Sequence, residues 1–76
     1  MTPAQFLTTT PLGTRVVVRS KIEGGFTDAL GYLRGRSDVD CTVETRRGLT
    51  TVALDDVVAA KEVPPPPPRR RPLATT

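Results

Sequence analysis

The amino-acid sequence predicts an all-β fold made of five short antiparallel strands. Three observations support this prediction: β-branched runs recur at a spacing of about ten residues, glycine-containing turns separate them, and no stretch has the apolar period of a long helix. A chain of 76 residues is long enough for one small domain only.

The first two strands are predicted on either side of a glycine pair. Residues 12–21 (LGTRVVVRSK) are rich in valine and alternate between two faces, which is typical of a strand. Gly24 and Gly25 can form the turn without steric cost, and residues 26–35 (FTDALGYLRG) then form strand two. Gly31, in the middle of that strand, predicts a bend or a close backbone approach.

The remaining three strands follow from similar patterns. Residues 38–45 (DVDCTVET) alternate most regularly and predict strand three. Residues 46–48 (RRG) form a hairpin loop whose glycine can adopt a positive φ, and residues 49–54 (LTTVAL) form strand four. The pair at 55–56 (DD) can cap one tight turn before a short closing strand at 57–61 (VVAAK).

Alternation along these strands predicts which side chains face the core. They are expected to be Val16, Val18, Ala29, Gly31, Leu33, Val39, Cys41, Val43, Thr50 and Val52. Cys41 is expected to be a small buried hydrophobic side chain, because a reactive thiol needs exposure and a cationic neighbour.

Five such strands with a one-turn helix before the last fit a small SH3-like barrel, whose closure would remove exposed sheet edges. We therefore expect a flexible, disordered N-terminal arm at residues 1–11, in which Pro3 to Leu7 can form a helical turn. The SH3-like β-barrel spans residues 12–63. Residues 64–76 (PPPPPRRRPLATT) are expected to be a disordered, stiff Pro/Arg-rich tail or linker.

The net charge of +3 belongs to the tail. Residues 1–63 contain eight basic and eight acidic side chains, which cancel, so the excess comes from Arg69, Arg70 and Arg71. The basic isoelectric point therefore does not by itself indicate a phosphate-binding face. No bilayer-spanning run or signal-peptide pattern is present, and we expect a cytoplasmic protein without membrane contact.

The composition excludes most site chemistry. The chain has no histidine, no tryptophan and one cysteine, which rules out a disulfide framework, a His/Cys zinc site and a Cys–His nucleophile. We expect no catalytic, cofactor-binding or metal-binding residue, no cofactor and no small-molecule substrate. Asp55 and Asp56 are adjacent and without a third carboxylate, so a capping role is favoured over a metal site.

Two sets of exposed residues are candidates for contact with a partner. The candidate protein-contact residues are apolar positions that alternation places outward: Val17, Leu30, Tyr32 and Leu49. The candidate anion-contact residues are Arg46, Arg47, Arg69, Arg70 and Arg71, although charged side chains also commonly decorate an exposed hairpin. Pro64, Pro67 and Arg69 match a PxxPxR peptide motif, but a linker is the favoured interpretation.

Aromatic side chains are scarce. Only Phe26 and Tyr32 are available beyond Phe6, which argues against a proline-peptide groove, an aromatic cage or a base-stacking platform.

The segments Gly13–Gly35 and Thr45–Pro67 resemble the SH3-like domain at the N-terminus of a group of actinobacterial GNAT-family N-acetyltransferases. The resemblance rests on GTRVVVR, TD-x-LG, the TRRG loop and the DVVAAK ending before the prolines. It implies an accessory barrel joined by a proline-rich linker to an acetyltransferase. No acetyl-coenzyme A loop is present, so the resemblance implies no catalytic residue here.

Two functions remain open. The first is a non-catalytic accessory or protein-interaction module whose partner is an acetyltransferase domain in cis or in trans. The alternative is a small nucleic-acid-binding barrel of Sm-like or KOW-like type that uses loop and tail arginines. An independent enzyme is not expected, because no convergent polar constellation is evident.

Overall fold

The computed structural model describes residues 1–65. The elements in this part are α1 (Pro3–Thr9), β1 (Arg15–Ile22), β2 (Gly25–Arg36), β3 (Asp40–Thr45), β4 (Gly48–Ala53), a 3₁₀ turn (Leu54–Asp56) and β5 (Val57–Glu62). The prediction of five strands with one helical turn before the last is confirmed. Within the described residues, no helix has the length and apolar character needed to cross a bilayer.

The five strands form one antiparallel sheet in the order β4-β3-β2-β1-β5. Successive strands from β1 to β4 are neighbours, and β5 returns to pair with β1. Among residues 1–65 no ladder joins β4 to β5, so hydrogen bonds do not close the sheet. The structure therefore shows a small, mostly β domain, and closure into a barrel stays a prediction.

The core lies on one face of the sheet and under α1. Its buried apolar residues are Leu7, Val16, Val18, Ala29, Leu33, Cys41, Val43, Val52 and Leu54. Most of the facing predicted by alternation is therefore correct. The prediction that Val39 faces the core is wrong, because this residue lies in the turn before β3 and is 69% exposed. Thr50 was also expected to face the core and is exposed, although it pairs with the buried Val43. It lies on the edge strand β4 nearer to the hairpin turn than Val52, which is buried.

Gly31 permits the close approach of β2 to β3. It is buried and pairs with Thr45. A Cβ atom at this position would overlap the carbonyl oxygen of Glu44 and lie 2.6 Å from its carbonyl carbon. Only a residue without a side chain fits there, so the close approach predicted from the sequence is confirmed.

The arm expected to be disordered contains α1, which extends the helical turn that the sequence allowed at Pro3 to Leu7. Thr2 caps the helix: its side chain accepts a hydrogen bond from the Gln5 amide, and the Gln5 side chain accepts one from the Thr2 amide. Pro3 occupies the first turn, where a missing N–H costs nothing. Leu7 is completely buried in the core, which holds the helix on the domain.

Arg36, at the end of β2, also holds α1 in place. Its guanidinium donates hydrogen bonds to the carbonyl oxygens of Leu7, at 3.2 Å, and Thr10. These carbonyls lie at the C-terminal end of the helix, where a positive charge is favourable. The first ten residues are thus attached to the sheet by both apolar and polar contacts.

Replacing Gly31 with alanine should destabilise the domain. The added methyl group meets backbone atoms of β3, so the strands must separate, and we expect a loss of about 1–3 kcal/mol in the free energy of unfolding. Urea denaturation followed by circular dichroism measures this loss. Gly25→Ala is the matched control, since no atom lies within 4 Å of a Cβ there. Equal stability of the two variants would contradict the close approach.

Replacing Arg36 with methionine should release α1 while the sheet persists. The aliphatic stem remains, but both hydrogen bonds to helix carbonyls are lost, for an expected cost of about 1–2 kcal/mol. Amide hydrogen exchange at Phe6 and Thr10 should accelerate more than exchange at Val16. Uniform acceleration across these amides would show that Arg36 stabilises the whole domain instead.

Candidate functional site

The outward-facing apolar residues lie mainly on the β1–β2 ladder. Val17 pairs with Leu30, and Arg15 pairs with Tyr32. Since paired residues of antiparallel strands share a face, three of the four candidate protein-contact residues lie side by side on the surface away from the core. Leu49, which is 70% exposed, lies farther away on β4 and is separated from Tyr32 by Glu44.

The arginine pair predicted to contact anions lies at the tip of the β3–β4 hairpin. Thr45 and Gly48 close this turn: the Thr45 hydroxyl donates to the Gly48 carbonyl at 3.0 Å and accepts from the Arg47 amide at 3.1 Å. Gly48 has a φ of 115°, as the loop prediction required. Arg46 and Arg47 are exposed and form no ion pair with any residue between 1 and 65.

An open groove of about 1210 Å³ connects this hairpin with the β1–β2 ladder. Five of the eight basic side chains in residues 1–65 line it: Arg15, Lys21, Arg34, Arg46 and Arg47. Only three of the eight carboxylates do so: Asp28, Glu44 and Asp56. The groove therefore carries an excess of positive charge within a domain whose formal charges cancel.

Two of the three carboxylates in the groove are already paired. The Arg19 guanidinium lies 3.0 Å from Asp28, and that of Arg34 lies 2.6 Å from Glu44. Both pairs are about half exposed, so they contribute little to stability. These pairs matter more for the charge of the groove. Asp28 is neutralised by Arg19 and Glu44 by Arg34, so neither carboxylate pairs with Arg46 or Arg47.

Hydrogen bonding by Arg19 lowers the pKa of Asp28, and its positive charge adds to the effect. Asp28 therefore remains ionised at moderately acidic pH and the pair persists. The same interactions raise the pKa of Arg19.

Tyr32 and Arg15 occupy the end of the groove near the point where the chain leaves β5. The Arg34 guanidinium lies 5.2 Å from the centroid of the Tyr32 ring, within the range of a cation–π interaction. Arg15 donates a hydrogen bond of 2.7 Å to the carbonyl oxygen of Pro64. This contact directs the last described residues along β1, and the arginines at 69–71 lie outside the described residues.

The other candidate groups show no reactive arrangement. Cys41 is completely buried, and burial followed by the negative charge of Asp40 raises the pKa of its thiol, so it packs as a hydrophobic side chain. Asp55 and Asp56 lie in the 3₁₀ turn, but neither makes the predicted side-chain cap. Among residues 1–65, no group of three or more Cys, Asp or Glu side chains could hold a metal ion.

The open five-stranded sheet, its short turn before β5 and its basic groove define a small, mostly β domain within the described residues. Residues 10–61 match the family described as the Rv0428c N-terminal Sm-like domain. This match covers more than half of the chain, which therefore belongs to that family. Neither a curated protein nor a solved structure matches the chain significantly.

The family match corrects the resemblance suggested by the sequence. The chain belongs to an Sm-like family, and its assignment to the SH3-like domain of GNAT-family acetyltransferases was wrong. The features that suggested that assignment were GTRVVVR, TD-x-LG, the TRRG loop and the DVVAAK ending before the prolines. Such features suit many small five-stranded domains, so they do not discriminate between them. The Sm-like alternative is the one supported.

Sequence reasoning missed several groove residues. Lys21 and Arg34 were counted only in the net charge, Arg15 was considered only as a neighbour of the loop arginines, and the exposed Phe26 was not assigned to a surface. The signal that could have found them is the β1–β2 register, which pairs Lys21 with Phe26. Without that register, a charge count cannot show which side chains share a face.

The Arg19–Asp28 pair should contribute to stability in a pH-dependent way. Because folding lowers the pKa of Asp28, the contribution is complete above the unfolded carboxyl pKa and is lost as pH falls through the folded value. We expect Arg19→Gln to return this pKa towards its usual value, as measured by NMR titration of the side-chain carboxyl. Arg34→Gln is the control and should leave it unchanged. If Arg19→Gln has no effect, another group sets the pKa.

Proposed function

We propose that this chain is a non-catalytic Sm-like module that binds nucleic acid, with the basic groove contacting phosphates. The observation that carries the proposal is the concentration of five of eight cations in one open groove with three carboxylates, two of them paired. A surface that binds nucleic acid must offer several cations at once, because affinity comes largely from the release of counterions at phosphates.

The hairpin tip supplies the cations best suited to this role. Arg46 and Arg47 are exposed, adjacent and without an acidic partner among the described residues, so a phosphate need not displace an existing ion pair. A guanidinium can donate two parallel hydrogen bonds to one phosphate. The tight turn closed by Thr45 and Gly48 limits the backbone freedom lost on binding.

The tail arginines fit the same proposal as a second source of attraction. Arg69, Arg70 and Arg71 follow closely after Pro64, which Arg15 holds at the end of the groove. Three consecutive cations in the sequence after Pro64 would add non-specific attraction for phosphates. Their contribution must be separated from that of the groove in any binding experiment.

A second candidate function is protein binding through the outer face of β1 and β5. A smaller depression of about 430 Å³ lies there, lined by Val17, Arg19, Asp28, Ala59, Ala60 and Lys61. Its mixture of small apolar and charged side chains suits a weak protein contact. It lacks the charge asymmetry of the basic groove, so we favour nucleic acid as the partner of this module.

Reversing the charge at the hairpin tip should weaken binding to nucleic acid. We expect Arg46→Glu with Arg47→Glu to weaken binding of a fluorescein-labelled RNA by at least about tenfold at low salt and to flatten the salt dependence, because two phosphate contacts are lost. Fluorescence anisotropy at several salt concentrations measures both effects. Lys61→Glu is the control, since it lies outside the groove.

A triple variant of the full chain separates the contributions of the tail and the groove to the binding affinity. It carries Arg69→Ala, Arg70→Ala and Arg71→Ala. We expect this variant to bind more weakly than the unaltered chain but still to respond to the changes at Arg46 and Arg47. If it does not bind at all, the tail alone accounts for the affinity and the groove has no role. If the unaltered chain binds no RNA or DNA at low salt, the proposed function is wrong.

A further inference from the structure

The outer face of the β1–β2 ladder carries two of the three aromatic residues of the chain. Phe26 and Tyr32 point to the same side of β2, because they are an even number of residues apart and alternate with the buried Ala29 and Leu33. Phe26 is 60% exposed and Tyr32 is partly exposed. Leu30, which is 45% exposed, lies between them.

Each aromatic residue faces a cation on β1. Phe26 pairs with Lys21 and Tyr32 pairs with Arg15. The two rings are six residues apart, or about 20 Å along an extended strand, so they do not contact the same base. We call the face formed by Lys21, Phe26, Leu30, Arg15 and Tyr32 the aromatic–basic strip.

The strip is also free of unpaired negative charge. Asp28 is the carboxylate between the two aromatic positions on β2, and it is bonded to Arg19 across the ladder at 3.0 Å. Lys21 and Arg15 form no ion pair with a described residue, so positive charge flanks the apolar centre at both ends. An anionic chain that carries flat apolar groups complements such a surface.

We infer that the nucleic acid bound by this module is single-stranded and lies along the aromatic–basic strip, with one base stacked on the Tyr32 ring, on the face opposite Arg34, and another on Phe26. The inference rests on the proposed function, since Lys21, Arg15 and Tyr32 also line the basic groove. The bases of a single strand are free to stack on aromatic side chains, whereas those of a duplex are already stacked on each other.

The small number of aromatic residues argued against a base-stacking surface. The position of Phe26 and Tyr32 on one face of β2 favours such a surface instead. Two rings are enough for two bases when both lie on one face and each has a cation opposite it. Stacking is tolerant of sequence, because every base has an aromatic face. The strip should therefore prefer single strands to duplexes without strong discrimination among bases.

Tyr32 provides a direct test, because it is the single tyrosine of a chain without tryptophan. Stacking on a base quenches tyrosine emission. We expect unlabelled polythymidylate and polyadenylate oligonucleotides to quench the emission of the intact chain at low salt. A hairpin duplex of matched length should quench it much less. Tyrosine fluorescence titration therefore reports whether a base reaches this ring.

Variants of the full chain test the two stacking positions. We expect Tyr32→Leu and Phe26→Leu each to weaken single-strand binding by about five- to tenfold in anisotropy, while Tyr32→Phe keeps the affinity because it keeps the ring. Weak duplex binding should not change. Val39→Thr is the control, since Val39 is 69% exposed in the turn before β3, away from the strip.

The outcomes separate this inference from the proposed function. If single strands bind but tyrosine emission and the affinity of Tyr32→Leu are unchanged, the stacking strip is wrong and the groove proposal stands. Equal affinity for single strands and duplexes would also contradict the inference that bases stack on the strip. If nucleic acid does not bind at all, both proposals fail. If the chain instead forms a dimer that Phe26→Leu disrupts, with no effect on oligonucleotide binding, the strip is a contact between two copies.

Discussion

The close approach of β2 to β3 at Gly31 is the constraint on which the remaining structure depends. β2 has twelve residues and pairs with β1 along its first part and with β3 along its second, so a single strand joins both halves of the sheet. The absence of a side chain at Gly31 lets the backbone of Glu44 approach closely where these halves meet. Because of this junction, the β3–β4 hairpin with its arginines lies beside the β1–β2 ladder, and residues distant in sequence line a common groove.

The position of the charged side chains on the surface depends on how the strands are paired, and the amino-acid composition does not determine it. The formal charges of residues 1–65 cancel, yet the pairing of strands collects cations on one side and gives two nearby carboxylates their own arginines. Neutral domains can in this way present a charged surface, because electrostatic attraction depends on the local density of charge as well as on its total. The net charge alone indicates only the arginines of the tail as an anion-binding segment.

The sequence predicted the strands and most of their facing, because side chains alternate with a period of two. The turn was expected at Gly24 and Gly25, whereas the observed ladder ends with Ile22 opposite Gly25. That difference shifts each partner by two residues, which preserves the facing but changes every cross-strand pair. The pairing of Lys21 with Phe26, and therefore the candidate strip, could not be derived from periodicity. The helix α1 carried a recognisable signal, since threonine followed three residues later by glutamine is a capping pattern.

The attachment of α1 to Arg36 also has a consequence for how the chain emerges from the ribosome. A helix of seven residues is too short to be stable alone, and its apolar anchor and its guanidinium partner belong to a sheet that is synthesised later. Residues 3–9 therefore lack the contacts that stabilise α1 until at least Arg36, at the end of β2, has left the exit tunnel. Formation of α1 is therefore coupled to formation of the sheet.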